Sequence, residues 1–129
     1  MPSAETFERG FCADLVLAAT DYGYRTVIER ATGAHVGDCG LIQKTVESQP
    51  EVEVVYFFHA DHWGRGLATE AARAMIEHGR TLGHQRIIAL IHPDNEASAN
   101  VARRLQMHHE RDVVTESGNL RRLFVSIAA

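Results

Sequence analysis

A strand-like run that leads straight into a glycine-bracketed helix start constrains this chain more than any other feature. Val52-Glu53-Val54-Val55-Tyr56-Phe57-Phe58 is β-rich, and its partly continuous apolar character points to burial on both faces. Trp63-Gly64-Arg65-Gly66-Leu67-Ala68-Thr69-Glu70-Ala71 then opens a helix whose apolar stripe, Leu67, Ala71, Met75 and Ile76, stops at Gly83. Two glycines ahead of a helix leave backbone N–H groups uncovered by side chains. The helix start adds unpaired N–H groups and a partial positive charge. Such a place suits a phosphate group. It is not a Walker loop, because no Gly-Lys-Ser/Thr ends it. Nor is it Gly-x-Gly-x-x-Gly, because Thr69 stands where the third glycine belongs.

The other segments set the fold class. Phe7, Phe11 and Leu15 recur at i, i+4 and i+8, which predicts a helix over residues 4–17. Residues 22–29 alternate as a strand, Ala31-Thr32-Gly33-Ala34 signals a turn, and residues 35–42 return as a strand. The polar residues 43–50 read as a loop before a strand over 51–58. A helix over 66–82 and a compact apolar strand over 86–91 follow, broken by Pro93-Asp94-Asn95. Ala97, Val101 and Leu105 mark a short helix. Residues 110–116 and 120–128 form a hairpin around Ser117-Gly118-Asn119. The order α-β-β-β-α-β-α-β-β implies an α/β protein with a mixed sheet, parallel at its strand-helix-strand units. With 129 residues and no repeats or linkers, residues 1–129 read as a single domain.

Composition narrows the function class. A net charge of −4 gives no electrostatic case for nucleic-acid binding. No apolar run approaches membrane-spanning length, and the first residues lack signal-peptide features, so the expected location is the cytoplasm. Cys12 and Cys39 stand in no metal or redox spacing and read as reduced, packed thiols rather than a disulfide. The eight histidines, among them His59, His62, His108 and His109, form no metal-ligand pattern, so no metal is expected.

Three segments together resemble the GNAT acetyltransferase family. That family's pyrophosphate loop reads Gln/Arg-x-x-Gly-x-Gly/Ala. Gly66 and Ala68 fill its last two places, and Trp63 stands where Gln or Arg is usual. A Trp-Gly-x-Gly-x-Ala-Thr-Glu-Ala version is typical of the branch resembling ribosomal-protein N-terminal acetyltransferases. Residues 52–62 resemble the family's fourth strand and its exit. Residues 95–107 resemble its Asn-x-x-Ser…Lys-Leu-Gly-Phe segment, with Gln106 and Met107 in place of Gly-Phe. The resemblance spans roughly residues 22–128.

The resemblance implies a GNAT-like acyl-CoA N-acyltransferase fold with acetyl-CoA as co-substrate and a primary amine, a peptide N-terminus or small amine, as acceptor. Family members begin with a strand that has no counterpart in the predicted order. An unpaired sheet edge left by its absence predicts a homodimer; a start site assigned too far downstream explains the absence equally well. The backbone of Phe57, Phe58 and His59 is expected to bond the pantetheine arm. Trp63, Gly64, Arg65, Gly66, Leu67, Ala68 and Thr69 are expected to form the pyrophosphate site, with Arg65 and Arg73 as possible added charge. Trp63 has two readings, a stack on adenine or a packing plug under the loop.

Glu53 is the expected base, because a carboxylate in an otherwise apolar strand needs something to pair with; an exposed strand face or a structural ion pair is the other reading. Asn95 is an expected cofactor contact, and its other reading is an N-cap. Ser98 is an expected proton donor, because Ala102 occupies the place where many family members carry Tyr. An impaired CoA-binding module is the alternative function. Deprotonation weighs on the acceptor. At pH 7 a lysine side chain must give up roughly 3.4 pK units, about 4.6 kcal/mol, but an α-amine only about 1 unit, roughly 1.4 kcal/mol. One modest base favours the α-amine.

Overall fold

The computed structural model describes residues 6–9, 13–16, 21–63 and 66–128. Eight strands lie in one sheet: β1 (Thr6–Arg9), β2 (Ala13–Val16), β3 (Gly23–Glu29), β4 (His35–Val46), β5 (Gln49–Phe58), β6 (Arg86–Ile91), β7 (His108–Val114) and β8 (Leu120–Ile127), in the order β1-β2-β3-β4-β5-β6-β8-β7. All neighbours are antiparallel except β5 and β6, which run parallel because helix α1 (Leu67–Thr81) connects them. Helix α2 (Glu96–Arg104) joins β6 to β7.

The amino-terminal segment corrects the sequence reading. In place of a helix over 4–17 stand two antiparallel strands, with Phe7 opposite Leu15. The spacing of Phe7, Phe11 and Leu15 has even separations, so it fits a period of two as well as a helical stripe. Sheet pairing decided between them, since β2 also pairs with β3, Leu15 opposite Val27. The edge expected to be bare is therefore occupied, and two strands precede β3 where none was expected. The described sheet ends on β1 and β7.

A second correction falls on residues 43–50. Strand β4 continues to Val46 and turns back through Glu47 and Ser48 into β5, with Val46 opposite Gln49. Both turn residues have positive φ, 49° and 68°. A two-residue hairpin needs that conformation to match the strand twist, but glycine or asparagine usually announces it. The final hairpin carries the usual signal, Gly118 at φ 84°, and Thr115 N–H donates to Asn119 O at 2.9 Å.

Both helices pack on one face of the sheet. There the main core joins Leu67, Ala71, Met75 and Ile76 of α1 and Ala99 and Ala102 of α2 to Val27, Leu41, Val54, Ile87 and Phe124 of the strands. Burying each large side chain of this kind is worth about 1.5–3 kcal/mol. The opposite face holds a smaller cluster of Val46, Ile88, Val113, Leu123 and Val125. Helix α2 ends by an unusual route. Gln106 takes the left-handed conformation, φ 63°, which glycine adopts most readily. The turn still closes, with Met107 N–H donating to Ala102 O at 3.0 Å and the Met107 side chain buried.

Candidate functional site

Strands β5 and β6 part company where the site lies. Among the described residues their pairing is confined to Glu53 opposite Ile88. Beyond that point they separate, and a cleft of about 600 Å3 opens between them. Its walls include both alternating sets of β5 side chains, Val54, Tyr56 and Phe58 as well as Glu53, Val55 and Phe57. The cleft therefore passes through the sheet. On the helix face it reaches Gly66, Leu67, Ala68 and Thr69 at the start of α1, and Asn95, Ser98, Val101 and Arg104 of α2. On the opposite face it meets Leu90, His92 and Arg121.

Gly66 shapes the start of α1. Gly66 is the N-cap in a left-handed conformation, φ 78°, and no side chain caps the helix. A substituent there would meet nothing within 4 Å, so the constraint is purely conformational. The first N–H groups of a 15-residue helix thus have no capping side chain at the end of the cleft. Thr69 Oγ1 is buried there with no hydrogen-bond partner among the described residues. A phosphate oxygen would satisfy both. Gly64 and Arg65 lie outside the described residues.

Trp63 is neither buried nor loose. Its side chain is 63% exposed, which overturns the reading as a packing plug. Its indole N–H donates to Phe58 O at 2.8 Å and ties the loop to the end of β5. Arg73 does not line the cleft; its guanidinium donates to Arg104 O at 3.4 Å. Arg104, which the sequence reading passed over, does line it.

Ladder alternation sorts the expected backbone contacts. His59 N–H donates to Val36 O of β4 at 3.0 Å. Phe57 O packs so close to Gly37 of β4 that an added Cβ would lie 2.3 Å away. Phe57 and His59 thus direct their backbone groups away from the cleft. Backbone direction alternates along a strand, so Tyr56 and Phe58 present theirs to the β6 side. Of the three positions expected to bond an inserted arm, Phe58 alone is oriented for it, and its carbonyl already accepts from Trp63. Tyr56 takes the other place.

Glu53 lines the cleft and is only 6% exposed. It lies on the face opposite the helices, and Lys44 Nζ is 2.7 Å from its Oε1. The ion pair meets the structural reading of this residue. Lys44 stands directly opposite Glu51, yet reaches diagonally to Glu53. Glu51 is already engaged by Arg86 at 3.0 Å, and Arg86 also holds Glu110 at 2.8 Å.

Asn95 and Ser98 also serve two ends. Asn95 caps α2, its Oδ1 accepting from Ser98 N–H at 3.0 Å, and it lines the cleft as well. The cap uses only the oxygen; the amide nitrogen is a separate donor. Ser98 lines the cleft, and its carbonyl accepts from the Tyr56 hydroxyl at 3.0 Å. Ala102 is fully buried in the core, so no tyrosine reaches the cleft from that position. A tyrosine arrives from β5 instead. Burial pushes the Tyr56 phenol well above its ordinary range, so it stays protonated and can donate. Alternation along β5 was the one signal in the sequence that could have found it.

Among the described residues no cluster of metal-ligating side chains occurs, and no helix is long and apolar enough to cross a membrane. Residues 2–108 match the family model of the acetyltransferase (GNAT) domain. The protein YkkB of Bacillus subtilis (strain 168) is 39% identical over 88 residues, which cover 66% of this chain and 50% of that protein. The uncharacterized N-acetyltransferase p20 of Bacillus licheniformis is 31% identical over 99 residues, 74% of this chain and 55% of p20. The chain thus spans about half the length of these curated relatives. Among solved structures, the ribosomal-protein-S5-alanine acetyltransferase of Vibrio fischeri superposes with a TM-score of 0.68 at 20% identity, over 83% of this chain and 62% of that one, a likeness of fold.

Proposed function

Because the chain belongs to the GNAT acetyltransferase family, we propose that it transfers an acetyl group from acetyl-CoA directly to a primary amine, a peptide N-terminus or a small amine. The observation that carries this reading is the opening in the sheet between β5 and β6, which ends on an uncapped helix start. Such a cleft suits a long, narrow ligand with a phosphate-rich end. Acetyl-CoA supplies a thioester whose carbonyl the amine attacks.

The chain's own groups divide the work. The N–H groups of Leu67, Ala68 and Thr69, with Thr69 Oγ1, bind pyrophosphate oxygens; Gly64 and Arg65 complete that loop, and Arg104 adds positive charge. The Trp63 ring beside the loop gives adenine a surface to stack on. The backbone groups of Tyr56 and Phe58 pair with the pantetheine arm as a neighbouring strand would, and the Asn95 amide adds a side-chain contact. One cleft-facing N–H polarises the thioester carbonyl. Glu53 accepts the proton of the amine, directly or through water, and Ser98 or Tyr56 returns one to the departing thiolate. We also propose a cytoplasmic protein; the homodimer expected from a bare edge loses that ground, because β1 and β2 occupy it.

Calorimetric titration with acetyl-CoA, followed by an amine screen, tests the proposal. Micromolar binding near one site per chain and release of free thiol with an amine present are expected. A folded sample that does not bind acetyl-CoA would overturn it. The Lys44–Glu53 ion pair favours a second reading, a CoA-binding module with impaired catalysis. Tight acetyl-CoA binding without turnover of any amine would select it.

A further inference from the structure

The sheet face opposite the helices carries two exposed aromatic rings beside the cleft. Tyr24 of β3 is 57% exposed and Phe57 of β5 is 61% exposed. Adjoining rings of this size left open to water call for an explanation. Register puts both on the face of Glu53. Tyr24 stands opposite Gly40 of β4, Gly40 stands opposite Val55 of β5, and Glu53 and Phe57 flank Val55 at alternate positions. The rings lean together across β4, with centroids 6.2 Å and planes 36° apart. Gly40 lets them meet, because it places no side chain between them. A Cβ there would also lie 2.0 Å from Gly23 O, so the approach of β3 holds this position to glycine.

Between the rings and Glu53 the surface is low and apolar. Val55 is buried, Gly40 adds nothing above the backbone, and Ile42 stands opposite Glu53. Along β5 the backbone separation from Glu53 to Phe57 is about 13 Å, and from Glu53 to Tyr24, two residues along and two strands across, it is about 12 Å. The two rings are thus nearly equidistant from the carboxylate. An amine bonded to that carboxylate lies about 3 Å from it. A two-carbon spacer puts an aromatic ring about 5 Å further on. Aromatic rings then meet at centroid separations of about 4.5–7 Å. Together these lengths bridge the distance from Glu53 to the pair.

We infer that the acceptor carries an aromatic ring two carbons from its reactive nitrogen, and that Tyr24 and Phe57 hold this ring while the nitrogen lies by Glu53. The inference rests on the acetyl-transfer reading above and names its substrate class. Two rings tilted toward each other offer a third ring a face and an edge, the contacts aromatic groups prefer. A second ammonium over the rings would draw on a nearby carboxylate, but Asp38, opposite Phe57 on this face, is already bonded to His35 at 3.1 Å. A free arylalkylamine and a peptide that begins with phenylalanine share the required spacing.

Amides of single amino acids keep the amine chemistry constant while the side chain changes. Phenylalaninamide should be acetylated with kcat/KM about tenfold or more above that of alaninamide, with leucinamide between them. In Tyr24→Ala the phenylalaninamide-to-alaninamide ratio should fall about fivefold, mainly through a higher KM for phenylalaninamide, and Tyr24→Phe should keep it. Circular dichroism checks that the variants fold. Phenethylamine and a tripeptide that begins with phenylalanine, run in the same assay, distinguish the two sources of the ring; turnover of either with a matching loss in Tyr24→Ala supports the inference. A preference for alaninamide, or for the diamine putrescine over phenethylamine, would overturn this inference alone. So would an unchanged ratio in Tyr24→Ala. No turnover of any amine by protein that binds acetyl-CoA would overturn the acetyl-transfer reading and this inference together.

Discussion

The two sides of the β5–β6 cleft handle polarity in opposite ways. On the helix side the polar groups belong largely to the backbone and lack side-chain partners among the described residues: the uncapped N–H groups of α1 and, beside them, the buried Thr69 Oγ1. On the other face Glu53 is already matched with Lys44, and next to it Arg86 holds Glu51 and Glu110. Backbone donors fixed by a helix cost no further ordering when an anion arrives, which suits a cofactor common to a whole family. Side-chain pairs can be rearranged by substitution without disturbing the sheet, which suits the end that varies with the acceptor.

Substitutions on each side test that contrast. The largest expected effect is on chemistry. Glu53→Gln should lower kcat by about 10²–10⁴, the usual range for loss of a general base, while acetyl-CoA affinity by calorimetry stays within about twofold. A matching loss of acetyl-CoA binding would mean that the two sides are not separable. Next is stability on the charged face. Arg86→Met leaves Glu51 buried beside Glu110 without its partner, and the denaturant midpoint should fall by the equivalent of about 1–3 kcal/mol. Helix-face substitutions should weaken binding instead. Gly66→Val forces a side chain into the left-handed region at a cost of about 1–2 kcal/mol and should weaken acetyl-CoA binding roughly tenfold, with circular dichroism unchanged.

The smallest effect concerns Cys39, fully buried in the helix-side core. Burial pushes its thiol from 9.0 up to about 12. The folded protein then holds the proton that the unfolded chain releases above pH 9. This group should leave stability unchanged below pH 9 and lower it progressively as pH rises from 9 toward 12. Urea melts at pH 8 and pH 10.5, native against Cys39→Ala, measure the difference. Peptide mapping should also find Cys39 unlabelled by thiol reagents at pH 8 until the protein unfolds.

Much of the site was legible because its chemistry is local. A glycine before a helix, an Asn-x-x-Ser cap and a glutamate in an apolar strand each act within a few residues of themselves. What the sequence hid was relational. The backbone groups of Phe57 and His59 point away from the cleft because β4 claims them, a fact of register. Tyr56 enters the site through strand alternation, and its partner Ser98 is 42 residues distant. The amino-terminal strands were misread for a similar reason: an even spacing of apolar residues serves helix and strand alike until a neighbouring strand is present to pair with.

Read alone, the sequence determined the strand-loop-helix unit, the glycine at its helix start, the α/β class and the family. Those depend on glycine conformation, hydrophobic period and unpaired N–H groups, all of which are set within a short stretch of chain. Tertiary structure decided where the sheet splits, which backbone groups face the split, and which charges are already paired when a ligand arrives. These depend on register and on competition among distant groups for the same partner, and neither is written in any one segment.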